Sequence, residues 1–466
     1  MDSYHAALET ASRLALDYLE SLDRRPVATG ADRASLLQGL DRPLADEGIP
    51  PQQVITELAR DAEPGIIGSA GGRFFGWVIG GALPSAVAAD WLSVAWDQNA
   101  ALSACAPAAA VVEEIAGAWL KELLGLPAHA SFAFVGGCQM AHVTCLAAAR
   151  HALLEKRGWN VEERGLTGAP PIRIISSDQR HGTFERAVRL VGLGSANVEY
   201  LAADPQSRLS PDALAHALEK DNRPAIVLLQ AGEINTGEYD PFAKLIPIAH
   251  RHDAWVHVDG AFGLWAAASP RFRHLLAGVE LADSWATDGH KWLNVPYDSG
   301  YAFIAHPEPH RASMTHRAAY LTHNAVMRDQ MDWNPDWSRR ARGFSTYAAL
   351  RELGRNGVAA MIDRCCDHAL DLVDGLGCLP GVEVLWRPSI NQGLVRFLDP
   401  NGADHDRRTD QVIGSVQQRG EAFFTGTTWR GMRAMRISVC NWQTGEADVR
   451  RTVNAVASVL YSPCPQ

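Results

Sequence analysis

A lysine set between a histidine and a tryptophan, just past an apolar run, is the first residue of this chain that could do chemistry. It is Lys291, in SWATDGHKWLNVPYDSG, residues 284–300. A surface lysine is a hydrated ammonium. One taken out of water loses part of its preference for the charged form, and its free amine is a nucleophile. Asp259 closes a second apolar run, WVHVDGAFG, residues 255–263. A buried carboxylate needs a partner: a helix cap, an arginine, or the protonated nitrogen of a flat ring. The Gly-Ala that follows would let such a ring come close. His181, in SDQRHGTFERA, residues 177–187, follows a third run. A lone histidine is commonly structural; here it could stack on a planar group and move protons.

Two polar turns complete the set. In FAFVGGCQMAHVTCLAAAR, residues 132–150, an apolar run meets two glycines and becomes a helix. Unpaired N–H groups at a helix start attract anions, so Gly136, Gly137, Cys138 and Gln139 could cradle a phosphate. The GxxxxGK[ST] loop of nucleotide hydrolases is absent. In LLQAGEINTGEYDP, residues 228–241, Gly232, Asn235, Thr236 and Gly237 form a polar turn of ordinary composition.

These residues need a frame that brings them together. From about residue 131, short apolar runs alternate with helical stretches over 139–157, 182–191 and 241–251. That alternation predicts an α/β unit with a mostly parallel sheet covered on both faces. Ligands bind outside the carboxyl ends of such strands, and the candidate residues lie just after them. Upstream, residues 4–22 have helical spacing, 25–51 reads as an extended linker with one short helix, and 84–125 as two buried helices. Past Met331–Arg342, a polar loop, come a helix over about 345–375, then VEVLWR, GLVRFLD, AFFTGTTW and AMRISVC with helices at 408–419 and 445–460. This α+β pattern predicts a smaller C-terminal domain. The expected division is 1–70 for an N-terminal helical arm, 71–330 for the large domain and 331–466 for the small one.

Composition excludes several roles. The 466 residues are 47% hydrophobic and 21% charged, the balance of a folded globular protein. The formal net charge of −10 argues against a nucleic-acid partner. The opening residues lack the layout of a secretion signal, and no apolar run is long enough for a membrane span. The eight cysteines form no CxxC pair, so reduced thiols, no metal and a cytoplasmic location are expected.

Taken in order, HVDGAFG followed by DGHKW, with SDQRHGTFERA upstream, resemble the group II amino-acid decarboxylases that depend on pyridoxal phosphate (PLP). This is the set containing the aromatic-amino-acid, glutamate and cysteine-sulfinate enzymes. The resemblance covers roughly residues 60–460. It implies the PLP-dependent transferase fold type I, with a mostly parallel seven-stranded sheet, a smaller α+β C-terminal domain, and a homodimer with the active site at its interface. It implies that Lys291 holds PLP as a Schiff base and that Asp259 pairs with the ring nitrogen. Ala261 would pack on one ring face and His181 on the other, and Gly137, Cys138 and Gln139 would bind the phosphate. Asn235, Thr236, Asp288 and His290 join the cofactor set, with Phe75 and Arg436 on the substrate side. RRARGF and MRISVCNW resemble small-domain elements of that family.

Three departures stand out. Asp288 occupies a position where the family often has asparagine beside the phosphate. GGCQMAH replaces a serine-rich turn. Residues 322–342 contain no tyrosine, where the family commonly has a proton donor; Tyr320 lies just upstream. The expected activity is decarboxylation of an L-amino acid, with proton return from Tyr320, His181 or water. The alternatives are a decarboxylation-dependent aldehyde synthase, a retro-aldol lyase, an aminotransferase, or a non-catalytic binding protein on the same fold.

Overall fold

The computed structural model describes residues 2–316 and 327–461. Two compact units emerge. One gathers residues 1–79, 368–387 and 393–466; the other holds 80–367 and 388–392. The polypeptide therefore enters the first unit, leaves it and returns. The division falls near residues 79 and 367, away from the 70 and 330 expected from the pattern.

The larger unit is built on seven strands: β1 (Ser131–Val135), β2 (Arg173–Ser177), β3 (Val198–Leu201), β4 (Ala225–Gln230), β5 (Trp255–Asp259), β6 (Ser284–Asp288) and β7 (Gly300–Ile304). Their spatial order is β1-β7-β6-β5-β4-β2-β3. β7 runs antiparallel to both neighbours; every other pairing is parallel. All strands but β3 are buried at every residue. A parallel sheet covered on both faces demands continuous apolar runs such as AIVLLQ. β3 is an edge strand, only partly buried, and its NVEYL sequence carries too little apolar character to announce a strand.

The helix Cys138–Glu155 leaves the Gly136–Gly137 turn and packs across the sheet, with Cys145, Leu146, Ala149, Leu153 and Leu154 in the core. The helix Gly182–Leu190 starts at His181, whose Nδ1 caps it by accepting from Thr183 N. Residues 84–125 do form two helices, Pro84–Trp96 and Pro107–Leu123. The first is not buried as expected: Trp91, Leu92, Val94 and Trp96 are 45–61% exposed.

RRARGF belongs to this larger unit rather than to a small C-terminal domain. Arg339 is fully buried against Glu113 at 2.8 Å and donates to the carbonyls of Ala100 and Phe134. Arg342 grips Asp298 through two hydrogen bonds of 2.8 and 3.1 Å. Both arginines fix loop 331–342, so the helix Gly343–Gly377 begins in this unit. That helix is broken at Gly354, whose φ of 57° departs from helical geometry.

The other unit joins the helices Asp2–Ser21 and Pro51–Ala62 to a sheet of β8 (Val382–Trp386), β9 (Gln392–Phe397), β10 (Thr425–Trp429) and β11 (Met432–Ser438), in the order β10-β11-β9-β8. Phe74 pairs with Phe423 through the backbone and stacks on its ring at 4.6 Å. No helix among the described residues is long and apolar enough to cross a membrane.

Candidate active site

Because β1 and the strands β2 to β6 are parallel, Val135, Ser177, Gln230, Asp259 and Asp288 end at one edge of the sheet. Three loops meet there with little room. A Cβ on Gly300 would lie 2.4 Å from Gly137 Cα, and one on Gly80 would lie 1.9 Å from the carbonyl oxygen of Lys291. Gly137 has φ 143°, which side chains resist. Asn294 braces the lysine loop: its Oδ1 accepts Gly81 N at 2.7 Å and its backbone carbonyl accepts Leu83 N. Gly80 and Asn294 were not among the residues picked from sequence, since an isolated glycine carries no local signal of its close neighbour.

Lys291 is half-buried, and its Nζ lies 3.0 Å from Asp288 Oδ2. Burial alone would push its proton affinity down, as expected from sequence. Asp288, Cys138 and Asp259 outweigh burial and hold the amine well above its usual range. Without a cofactor the ammonium form is favoured and pairs with Asp288, where burial by itself would favour the free amine.

Asp288 works at both oxygens. Oδ1 accepts the N–H of Cys138, at the start of the helix, at 2.5 Å. His290 Nε2 stands 3.5 Å from the same oxygen. His290 Nδ1 accepts Ser299 N, so its proton lies on Nε2, and the ring stacks on Tyr297 at 4.2 Å. Burial lowers its proton affinity and keeps it neutral near pH 7.

Asp259 ends β5. Its Oδ1 accepts Ala261 N at 3.1 Å, and Cys138 Sγ points to the same atom at 3.8 Å. Oδ2 faces His142 Nε2 at 3.5 Å. Burial would raise its pKa, but His142, then His181 and Lys291, hold the carboxyl well below the usual range. His142 and His257 are fully buried, with His142 Nδ1 2.8 Å from His257 Nε2 and His257 Nδ1 2.9 Å from Ser284 Oγ. Sequence reading gave neither histidine a role. The available signal was the i, i+4 spacing of Cys138 and His142 past the glycine turn, which puts both on one helix face.

The other expected residues fall as follows. His181 is exposed and close enough for its charge to bear on Asp259. Ala261 is half-buried beside the sheet edge, and its carbonyl accepts Asp288 N. Asn235 and Thr236 turn toward Glu233: each gives its backbone N–H and a side-chain donor to that carboxylate. Phe75 and Arg436 belong to the other unit. There Phe75 is buried against Phe424, and Arg436 donates to the carbonyl of Trp77. Tyr320 lies outside the described residues.

The residues present fit PLP. Gln139 Nε2 is buried without a hydrogen-bond partner among the described residues, beside the helix N-terminus where a phosphate would go. A primary amine, a buried anionic carboxylate and a glycine-lined turn converge on the same edge. The carboxylate of Asp288 would repel a phosphate dianion, but Lys291 and the Cys138 N–H already engage it.

The conserved-domain model of the pyridoxal-dependent decarboxylases matches residues 34–397. The chain is 27% identical over 440 residues to 4-hydroxyphenylacetaldehyde synthase of Rhodiola rosea, covering 90% of this chain and 88% of that one. It is 25% identical over 446 residues to aromatic-L-amino-acid decarboxylase of Bacillus atrophaeus, covering 92% and 90%. The crystal structure of Oryza sativa TDC with PLP and tryptamine superposes with a TM-score of 0.92 at 24% identity, covering 98% of each chain. That likeness shows the fold, PLP fold type I.

Proposed function

Because this chain belongs to the pyridoxal-dependent decarboxylase family, we propose that Lys291 carries the cofactor, that Asp259 faces its ring nitrogen, and that the substrate is an aromatic amino acid. The enzyme is a PLP-dependent carboxy-lyase: PLP is its cofactor, and it releases CO2 from an amino acid. The observation that carries the residue assignment is the convergence of Lys291, Asp288, Asp259 and the Gly136–Gln139 turn on one sheet edge.

Bound PLP supplies a ring that accepts the electron pair left when CO2 departs. The chain's own residues do the rest. Asp288 Oδ2 pairs with the Lys291 ammonium, which must lose a proton before it reacts. Asp259 holds a negative charge where the ring's protonated nitrogen would lie. Gln139 Nε2, at the helix start, would hold the phosphate. Ala261 and His181 would bracket the ring, His290 orders Asp288, and Asn235 and Thr236 shape the adjoining turn. His181 or Tyr320 returns a proton to the substrate's α-carbon.

The aromatic assignment is supported by relatives named for aromatic amino acids or aldehydes. The exposed Trp91, Leu92, Val94 and Trp96 support a homodimer, since an apolar strip of this kind marks an interface. None of the seven described cysteines is in a disulfide, which fits the cytoplasm.

A second reading is favoured by the lack of tyrosine in residues 322–342 and by the aldehyde synthases among the relatives. In it, amino acid, O2 and water give aldehyde, CO2, ammonia and H2O2. One assay separates the two. The PLP-loaded enzyme is given L-tryptophan, L-tyrosine, L-phenylalanine and L-glutamate, and CO2, amine, aldehyde and peroxide are measured. CO2 matched by amine from an aromatic substrate is expected. Peroxide and aldehyde matching CO2 would establish the second reading. Turnover of glutamate alone would overturn the aromatic assignment.

A further inference from the structure

We propose that His142 is a positioning residue that fixes the Asp259 carboxylate behind the cofactor ring, itself held by a hydrogen-bond chain from Ser284 through His257. The inference rests on the reading that Asp259 faces the ring nitrogen.

The chain has a self-consistent direction. Ser284 Oγ accepts the indole N–H of Trp255 at 2.9 Å, which leaves its own proton to donate to His257 Nδ1 at 2.9 Å. His257 then carries its proton on Nε2 and donates to His142 Nδ1 at 2.8 Å. His142 in turn carries its proton on Nε2, facing Asp259 Oδ2 at 3.5 Å. Every ring nitrogen then has a complementary neighbour. The reverse direction would aim a lone pair at the carboxylate or place an imidazolium among fully buried groups, at large desolvation cost. Burial pushes His257 down to about 3, which agrees with a neutral His257 ring.

The surroundings hold this geometry. Phe184 meets the His142 ring edge-on at 5.8 Å and stacks on His257 at 6.1 Å. Cys138 Sγ lies 3.5 Å from His142 Nε2 and 3.8 Å from Asp259 Oδ1. One Asp259 oxygen is thus taken by Ala261 N and the thiol, the other by His142. A carboxylate held at both oxygens keeps one orientation, and a fixed charge stabilises a ring cation better than a mobile one.

The test compares His142→Phe, His142→Gln and Asp259→Ala with the parent enzyme. The phenylalanine fills the volume without a donor, and the glutamine amide can replace the Nε2–H. PLP affinity is read by absorbance titration, and the visible spectrum of the loaded protein is followed against pH. We expect His142→Phe to weaken PLP binding by ~10-fold or more and to alter the pH dependence of the spectrum, with His142→Gln restoring both. Should His142→Phe not fold, the glutamine variant and the 15N imidazole signals of the parent enzyme decide: a His142 proton on Nδ1 alone would overturn the proposal. Equal damage in the phenylalanine and glutamine variants would make the role one of shape and would also overturn it. Two parent-like His142 variants beside a damaged Asp259→Ala would overturn it while leaving Asp259 in place. An Asp259→Ala protein that binds PLP like the parent would instead remove the underlying reading of Asp259.

Discussion

Asp288, which is buried, and the half-buried Lys291 form an ion pair, Oδ2 to Nζ at 3.0 Å, on the same carboxylate whose other oxygen accepts the first N–H of a helix. The pair ties the amine to the anion cradle, so a change at either residue should be felt at both.

Replacing Lys291 by alanine removes the only atom proposed to bond the cofactor. Turnover should fall by ~10³-fold or more. Borohydride should then fail to fix PLP to the protein. Mass spectrometry after reduction is the check, and a phosphopyridoxyl adduct on another residue would show the assignment to be wrong.

Asp288→Asn should speed the uptake of PLP. The ion pair raises the lysine's proton affinity, so the ammonium form persists at neutral pH and must lose a proton before bonding. Without the carboxylate the amine titrates lower, since an opposite charge typically shifts a pKa by one to three units, and the rate at pH 7 should rise by ~10-fold. Stopped-flow growth of the visible band reads it. An unchanged or slower rate would mean that Asp288 serves the phosphate site more than the amine.

Gly80→Ala places a methyl where only 1.9 Å separates the new carbon from the Lys291 carbonyl oxygen. The backbone contact cannot be relieved by turning a side chain. A loss of about 1–3 kcal/mol of stability is expected, together with weaker PLP binding. Thermal melting with and without cofactor measures both.

His310 gives a pH prediction away from the site. It lies buried between Ser131 Oγ and the carbonyl of Trp333, each at 2.8 Å, and burial pushes it down to about 3. Its folded-state value is depressed below the ordinary ~6.5. The unfolded chain therefore takes up a proton that the folded chain refuses as pH falls from about 6.5 toward 3. Stability should drop on acidification through that window, by up to about 1.4 kcal/mol per pH unit for this residue. Denaturant melts at pH 7, 6 and 5 should show a shallower slope in His310→Gln than in the parent.

Much of this was legible because the chemistry sits at strand ends. Apolar runs such as AIVLLQ and WVHVD announce buried parallel strands, and the residues just past them are the ones that meet. What stayed hidden depends on long-range contact. NVEYL forms an edge strand because β2 offers it a free backbone edge, and nothing in its own composition requires that. The helix Pro84–Trp96 is as apolar as a core helix yet keeps its tryptophans on the surface. The charge state of Lys291 follows from Asp288 three residues earlier, which sequence flagged as a mismatch to the family rather than as a partner. His142 and His257 lie 115 residues apart, a distance over which no spacing rule operates.

The interleaved makeup of the smaller unit has a consequence for synthesis on the ribosome. Arg73 meets Glu421 across 348 residues of sequence, and Phe75 forms backbone hydrogen bonds with Phe423 and Ser438. At a translation rate of ~5–20 residues per second, the early segment waits about 17 to 70 s before those partners exist. Through that interval Phe74, Phe75 and the apolar sides of the first helices have none of their eventual neighbours from the later sequence. Residues 73–75 are sheltered only after residue 421 has been made, so a nascent chain halted short of it should be the species that chaperones hold and that aggregates when they are scarce.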